Sequence, residues 1–212
     1  MKMTNHWNRL IYKLWAPVYD WTVNNFFLPG RKAAMHLLDL KAGERVLLVG
    51  VGTGADLPLL PEGVNAVGMD LSPDMLARAR SKLPLLDCPV ILLQGDAQSL
   101  LVETGGFDAV IFNLILSVIP DGRLCLQENL RALKPEGRAV VFDKFAPEGG
   151  QLSLLRRFLN IFSSLFGTEI TRRFGEMLQG SGLIITHQEA SLLGGNYQIF
   201  LLKRENPRDL SL

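Results

Sequence analysis

The chain has 212 residues, 48% of them hydrophobic and 20% charged, with a formal net charge of +1. This is ordinary globular composition with room for a substantial core, and the near-neutral balance offers no bulk attraction to nucleic acid, so no nucleic-acid partner is expected. Cys88 and Cys125 show no CxxC spacing, which reads as a reduced, cytoplasmic chain; no apolar run approaches the ~18 residues of a membrane span, and the N-terminus makes a poor signal peptide.

Residues 4–18 read as a helix, with Trp7, Leu10, Ile11, Leu14, Trp15 and Val18 recurring at three- and four-residue steps and Pro17 bending or ending it. A second helix is expected from about Asn25 to Leu40. Strands and helices then alternate. RVLLVG is a strand, ADLPLLP a short proline-limited helix and VNAVGMD a strand. SPDMLARARSKL is a helix with Ser72 as N-cap and Pro73 in its first turn. VILLQGD and FDAVIFN are strands, DGRLCLQENLRALK is a helix closed by Pro135 and Gly137, and RAVVFDKF is a fifth strand. Residues 151–179 read as helical, and GLIITHQEA and NYQIFLLKR follow as a hairpin. The alternation implies a parallel sheet. Uniformly apolar central strands imply cover on both faces. The closing hairpin makes one strand antiparallel.

Gly50, Gly52 and Gly54 stand where the first strand ends and a helix should begin. Residues without Cβ permit φ > 0 and close approach of a ligand to the backbone, and ligands of open α/β sheets bind outside the carboxyl ends of the strands. A tight structural turn is the alternative. Asp70 ends the second strand, where a carboxylate can accept both hydroxyls of a ribose; a helix cap is the alternative, although Ser72 is already placed for that role. Asp96 ends the third strand and could receive the exocyclic amine of an adenine, with Ala97 supplying a backbone N–H; here too a cap or turn is the alternative.

LLVGVGTGADL, GMDLSPDMLARAR, GDAQSL, FDAVIFNLILSVIPD and LRALKPEGRAVVFD together resemble the class I S-adenosylmethionine-dependent methyltransferases over roughly residues 40–145. The resemblance implies an α/β, Rossmann-like, mostly parallel seven-stranded sheet of order 3-2-1-4-5-7-6, with strand 7 antiparallel and helices on both faces. It implies one methyltransferase domain over 1–212: an N-terminal helical cap at 1–40, a cofactor-binding core at 41–145, and a lid helix with the terminal β-hairpin at 146–212. The implied cofactor is S-adenosylmethionine. Gly50, Val51, Gly52 and Gly54 would line its methionine part, and Asp70 would hold the ribose. Leu71 and Met75 would flank the adenine, Asp96 and Ala97 would face its edge, and Asn113 and Leu114 would lie beneath the sulfonium. One departure stands out. The family usually has an acidic residue two positions before the first glycine, where it helps position the cofactor's ammonium; this chain has Leu48, and Tyr19 is the expected substitute.

Two rivals remain. Gly50, Gly52 and Ala55 nearly satisfy the G-x-G-x-x-G/A pattern of a nicotinamide dehydrogenase, with Asp70 suitably spaced, although the terminal hairpin has no place in that fold. A non-catalytic cofactor-binding protein is the other.

Methyl transfer needs in-line placement of a lone pair rather than a metal, and His6, His36 and His187 are scattered without ligand spacing. An amine acceptor must arrive unprotonated. Tyr19 and Asp143 are the candidate catalytic groups, able to orient the nitrogen or take its proton, with Tyr12 and Ser117 on the substrate side. Their plainer alternatives are cofactor contact for Tyr19 and a strand-end cap for Asp143.

Lys2, Arg9 and Lys13 precede any acid, and Trp7 and Trp15 lie on the apolar stripe, the pattern of a helix that settles on an anionic membrane surface. LSLLRRFLNIFSSLF could pack as a lid or touch lipid; simple cover for the domain is the alternative for both segments. Arg31 and Lys32 either contact phosphate or solvate a helix. LWAPVYDW followed by FFLPGRKAA resembles the bacterial phospholipid N-methyltransferases that act on phosphatidylethanolamine and, less closely, the quinone and menaquinone C-methyltransferases. The resemblance implies stepwise N-methylation of an ethanolamine headgroup by a cytoplasmic protein peripheral to the inner face of the membrane. The alternative is C- or O-methylation of a quinone-like or other hydrophobic small molecule.

Overall fold

A computed structural model describes residues 25–100, 102–146, 172–192 and 195–205. The helix expected over 4–18 lies outside these residues, as does most of the helical stretch expected over 151–179. Helix α1 covers residues 25–38. Then come β1 (Arg45–Val49), β2 (Asn65–Asp70), α2 (Pro73–Arg80), β3 (Val90–Gln94), β4 (Phe107–Asn113), α3 (Gly122–Arg131), β5 (Leu133–Lys144), α4 (Phe174–Leu178), β6 (Leu183–Ala190) and β7 (Tyr197–Arg204).

The seven strands form one sheet in the order β3-β2-β1-β4-β5-β7-β6. The first five are mutually parallel. β7 runs antiparallel to both its neighbours, as the hairpin pattern and the resemblance imply. Alternate residues serve opposite faces: Val46, Leu48, Val140 and Phe142 pack with α1 and α2 on one side, while Leu47, Val49, Val141 and Phe145 pack with α3 and α4 on the other. Burial on both faces is why these strands are apolar throughout.

Two local features differ from the sequence expectation. The ADLPLLP segment forms only a 3₁₀ turn, Leu57–Leu59, with a proline in its first turn; Pro61 follows closely, and a proline inside a longer helix would remove a hydrogen bond and clash with the preceding turn. The third helix stops at Arg131, before its expected end, and β5 already starts at Leu133. Elsewhere the Ser72 cap holds, its hydroxyl accepting the Met75 N–H at 3.4 Å; Asp121 also caps α3, accepting the Leu124 N–H at 2.9 Å.

Helix α1 is fixed to the sheet at two points. Arg138 on β5 donates to the Leu38 and Asp39 carbonyls at the helix C-terminus, at 2.6 and 2.7 Å, and grips Glu44 with two bonds of 2.8 and 2.9 Å. A guanidinium at that end satisfies unpaired carbonyls and complements the helix dipole. At the other point Gly30 lies flat on Phe142: a Cβ added there would sit 2.2 Å from the ring's Cζ. Phe142 is fully buried and cannot swing away.

Gly30→Ala is therefore expected to destabilise the fold. Overpacking costs about 1–3 kcal/mol, against a helix-propensity gain of about 0.5–1 kcal/mol from removing glycine. A thermal or urea titration checks this; an unchanged or raised midpoint would contradict the close approach.

Candidate active site

The chain leaves β1 through Gly50 and Gly52, with φ of +67° and +56°, the left-handed region that glycine adopts without strain. The loop is not free. The Gly52 N–H donates to Asp70 Oδ2 at 2.8 Å, and the Ser72 N–H donates to Asp70 Oδ1 at 2.9 Å. The carboxylate at the end of β2 thereby ties the glycine loop to the start of α2. Burial, the largest influence, pushes the Asp70 carboxyl above its usual range, and the N–H groups of Ser72, Gly52 and Leu71 oppose the rise.

A cavity opens over this carboxyl edge. Gly50, Val51, Gly52, Asp70, Leu71 and Met75 border it, as do Asp96, Ala97, Asn113 and Leu114. Ten of the eleven residues expected to bind the cofactor thus converge on one space. The exception is Gly54 (φ +77°), where a Cβ would meet Leu57 Cδ1 at 2.8 Å and Ala79 Cα at 3.1 Å; it allows the loop to pack on α2. Asp96 does form the turn its plainer alternative describes, accepting the Gln98 N–H at 2.9 Å, and still borders the cavity. Leu114 is held at φ +59° by its N–H to the Phe142 carbonyl at 2.7 Å. Such strain in a non-glycine residue concentrates at functional sites. The wall beyond it is apolar, made by Ile115, Val118, Ile119 and Pro120.

The transfer-side expectations fare differently. Asp143 and Ser117 do not border the cavity. Asp143 is fully buried, and its two oxygens accept the Ser117 and Lys144 N–H groups at 2.9 and 2.8 Å. Burial raises its pKa, with the Ser117 and Lys144 bonds opposing. It acts as a clasp between the loop after β4 and the end of β5, closer to its strand-end alternative than to a proton acceptor. Tyr12 and Tyr19 lie outside the described residues.

Sequence reasoning passed over Asp56 and left Arg31 undecided. Both are buried. Arg31 Nη1 donates to Asp56 Oδ2 at 2.6 Å, and Asn113 Nδ2 donates to Asp56 Oδ1 at 2.9 Å. Arg31 and Asn113 border the cavity. No local pattern announces this cluster, because its members come from α1, the loop after the glycines and the end of β4. Lys32, by contrast, is exposed.

The donor set fits an adenosyl sulfonium amino acid. The Asp70 carboxylate accepts backbone N–H groups and still retains acceptor capacity for a ribose hydroxyl. A Cβ at Gly52 would meet nothing nearer than 3.9 Å, so the backbone there is open to a ligand. Two buried polar atoms of cavity residues, Arg31 Nε and Asn113 Oδ1, have no hydrogen-bond partner among the described residues.

Known proteins agree. The family described as "Methyltransferase domain" matches residues 47–141. The chain is 35% identical over 159 residues to a phosphatidylethanolamine N-methyltransferase of Cereibacter sphaeroides, covering 74% of this chain and 77% of that one. It is 36% identical over 150 residues to a demethylmenaquinone methyltransferase of Thermus thermophilus, covering 67% and 68%. The geranyl diphosphate C-methyltransferase of Streptomyces coelicolor, solved with S-adenosyl-L-homocysteine, superposes with a TM-score of 0.68 at 18% identity, covering 82% of this chain and 79% of that one. The dehydrogenase and non-catalytic rivals fall away.

Asp70→Ala removes a charged acceptor and the anchor of the glycine loop. Calorimetric titration should show S-adenosylhomocysteine affinity falling by more than about tenfold, since a hydrogen bond to a charged group contributes about 1.5–3 kcal/mol. In the unmodified chain, affinity should be full at neutral pH and fall as pH drops through the raised Asp70 value. Unchanged affinity in the variant would contradict the site. By sequence, sheet order and cavity, the chain belongs to the class I S-adenosylmethionine-dependent methyltransferases and is an enzyme of that class.

Proposed function

We propose that the enzyme N-methylates the ethanolamine headgroup of a phospholipid such as phosphatidylethanolamine at a membrane surface. The observation that carries this reading is the 35% identity to a phosphatidylethanolamine N-methyltransferase across 74% of the chain. The N-terminal resemblance outside the methyltransferase core supports it. A second reading, methylation of a quinone-like acceptor, is favoured by the 36% identity to a demethylmenaquinone methyltransferase and by the apolar wall after β4.

S-adenosylmethionine, when bound, supplies a methyl group already activated by the sulfonium charge. The protein's task is then to place and prepare the acceptor. Asp70 would hold the ribose and Asp96 with Ala97 the adenine edge, leaving the sulfonium end over Asn113 and Leu114. Fixing an acceptor nitrogen in line there is worth on the order of 7–11 kcal/mol of barrier. Ile115, Val118, Ile119 and Pro120 would exclude water on the acceptor side. The nitrogen must shed its proton before it can attack, because a protonated amine has no lone pair. With both Asp143 oxygens engaged by backbone N–H groups, Tyr19 is the better candidate to orient the amine or accept that proton.

Membrane docking would fall to the basic, Trp-bearing N-terminal segment. Among the described residues, no helix is long and apolar enough to cross a bilayer.

Labelled methyl transfer from S-adenosylmethionine into phosphatidylethanolamine vesicles, run beside demethylmenaquinone, separates the acceptors. Label in mono- and dimethylated phosphatidylethanolamine is the expected result; label confined to the quinone would overturn the reading in favour of the second. In vesicle sedimentation, anionic liposomes should enrich the enzyme, and a Trp7→Ala/Lys13→Ala variant should lose that enrichment. Equal distribution of both proteins would reject the docking role.

A further inference from the structure

Two side chains that border the same cavity each carry a buried polar atom unmatched among the described residues, and one carboxylate links them. Arg31 spends one guanidinium nitrogen on Asp56 Oδ2, while its Nε is buried without a partner. Asn113 spends its amide nitrogen on Asp56 Oδ1, while its Oδ1 is likewise buried without a partner. The amide orientation is chemically determined: flipped, it would set an oxygen against the Asp56 carboxylate. The side chains of Arg31 and Asp56 are only 9% and 6% exposed. Leaving such atoms unpaired in a buried site costs stability, which marks them as capacity for something that arrives.

What arrives must offer an acceptor, best an anion, to a guanidinium and a donor to an amide oxygen. A zwitterionic amino acid does both. At the usual place of the family's acidic residue this chain has Leu48, 1% exposed and packed in the apolar layer shared with α1, so no carboxylate is available there for an ammonium.

We infer that Arg31, Asp56 and Asn113 form a zwitterion clamp for the amino-acid end of the cofactor, in place of the missing acid at position 48. Arg31 takes the α-carboxylate. Asn113 Oδ1 accepts from the α-ammonium. Asp56 touches neither; it neutralises Arg31 and holds the Asn113 amide so that its oxygen stays available. The division of labour is electrostatically economical, because guanidinium–carboxylate bonds are the strong, orientation-specific ones. Arg31 reaches the cavity because α1 is pinned against β5 at Gly30 and by Arg138. The inference rests on the assignment of S-adenosylmethionine as cofactor.

Calorimetric titration of the full chain with four ligands tests it: S-adenosylhomocysteine, its decarboxylated analogue, its deaminated analogue, and methylthioadenosine, which lacks the whole amino acid. In the unmodified enzyme, loss of the carboxylate or of the amine should each weaken binding by about tenfold or more. Arg31→Gln should erase the carboxylate preference and leave methylthioadenosine binding unchanged; Arg31→Lys should restore part of it. Asn113→Ala should erase the amine preference. The two ligand ratios in the unmodified enzyme decide the matter even if a variant fails to fold. Ratios near one, or a variant that weakens all four ligands equally, would overturn the clamp while leaving the cofactor assignment intact. No binding of any of the four would overturn both.

Discussion

A single half-buried carboxylate organises the carboxyl edge of the sheet. Asp70 accepts one N–H from the glycine loop after β1 and another from the start of α2, at 2.8 and 2.9 Å. Gly50 and Gly52 can take the left-handed backbone that the turn needs, but conformational freedom alone does not hold a loop in place. The bond to Gly52 supplies the restraint, and it ties the ends of neighbouring parallel strands into one unit. The same carboxylate keeps acceptor capacity toward the cavity. Loop order and the acceptor capacity that faces the cavity are thereby coupled through one side chain, whose burial opposes its charge and whose N–H partners favour it.

The opposite wall depends on how α1 is seated. Arg138 closes the C-terminus of that helix and holds Glu44; Gly30 permits contact with Phe142 that any side chain would block. Together these set the position of Arg31, whose charge meets Asp56 inside the protein. A buried ion pair of this kind is weak evidence of stabilisation, because desolvation offsets much of the attraction. Its retention beside a cavity, with an unpartnered nitrogen, fits a binding role better than a structural one. Asp143 shows the converse. It is a buried carboxylate near the reaction edge whose oxygens accept backbone N–H groups, and it serves to hold the loop bearing Ser117.

Much of this was legible in the sequence because the signals are local. Apolar strands, Ser72 before Pro73, the glycine cluster and the strand-terminal Asp70 and Asp96 each carry their chemistry within a few residues. The sheet order and the antiparallel β7 followed from the pattern of alternation together with the family resemblance. What escaped was non-local. Asp56 finds Arg31 twenty-five positions away and Asn113 fifty-seven away, and nothing near any of the three announces the meeting. Asp143 was a candidate because the family architecture brings its segment near the transfer site, with a strand-end cap as the alternative; its burial becomes visible only once β4, β5 and the intervening loop are packed. The 3₁₀ turn at Leu57–Leu59 was half-legible: the prolines limited the helix, but not by how much.

Whether the carboxyl edge of β1, β2 and β3 receives the adenosyl sulfonium cofactor is decided by which amides the bound ligand shields. Hydrogen–deuterium exchange of the full chain, with and without saturating S-adenosylhomocysteine, tests it most directly. Slowed exchange is expected at the amides of Val51 to Gly54, Leu71 to Met75 and Ala97 to Gln98, with the β6 edge unaffected. Protection elsewhere, with those three stretches unchanged while the ligand is demonstrably bound, would contradict it.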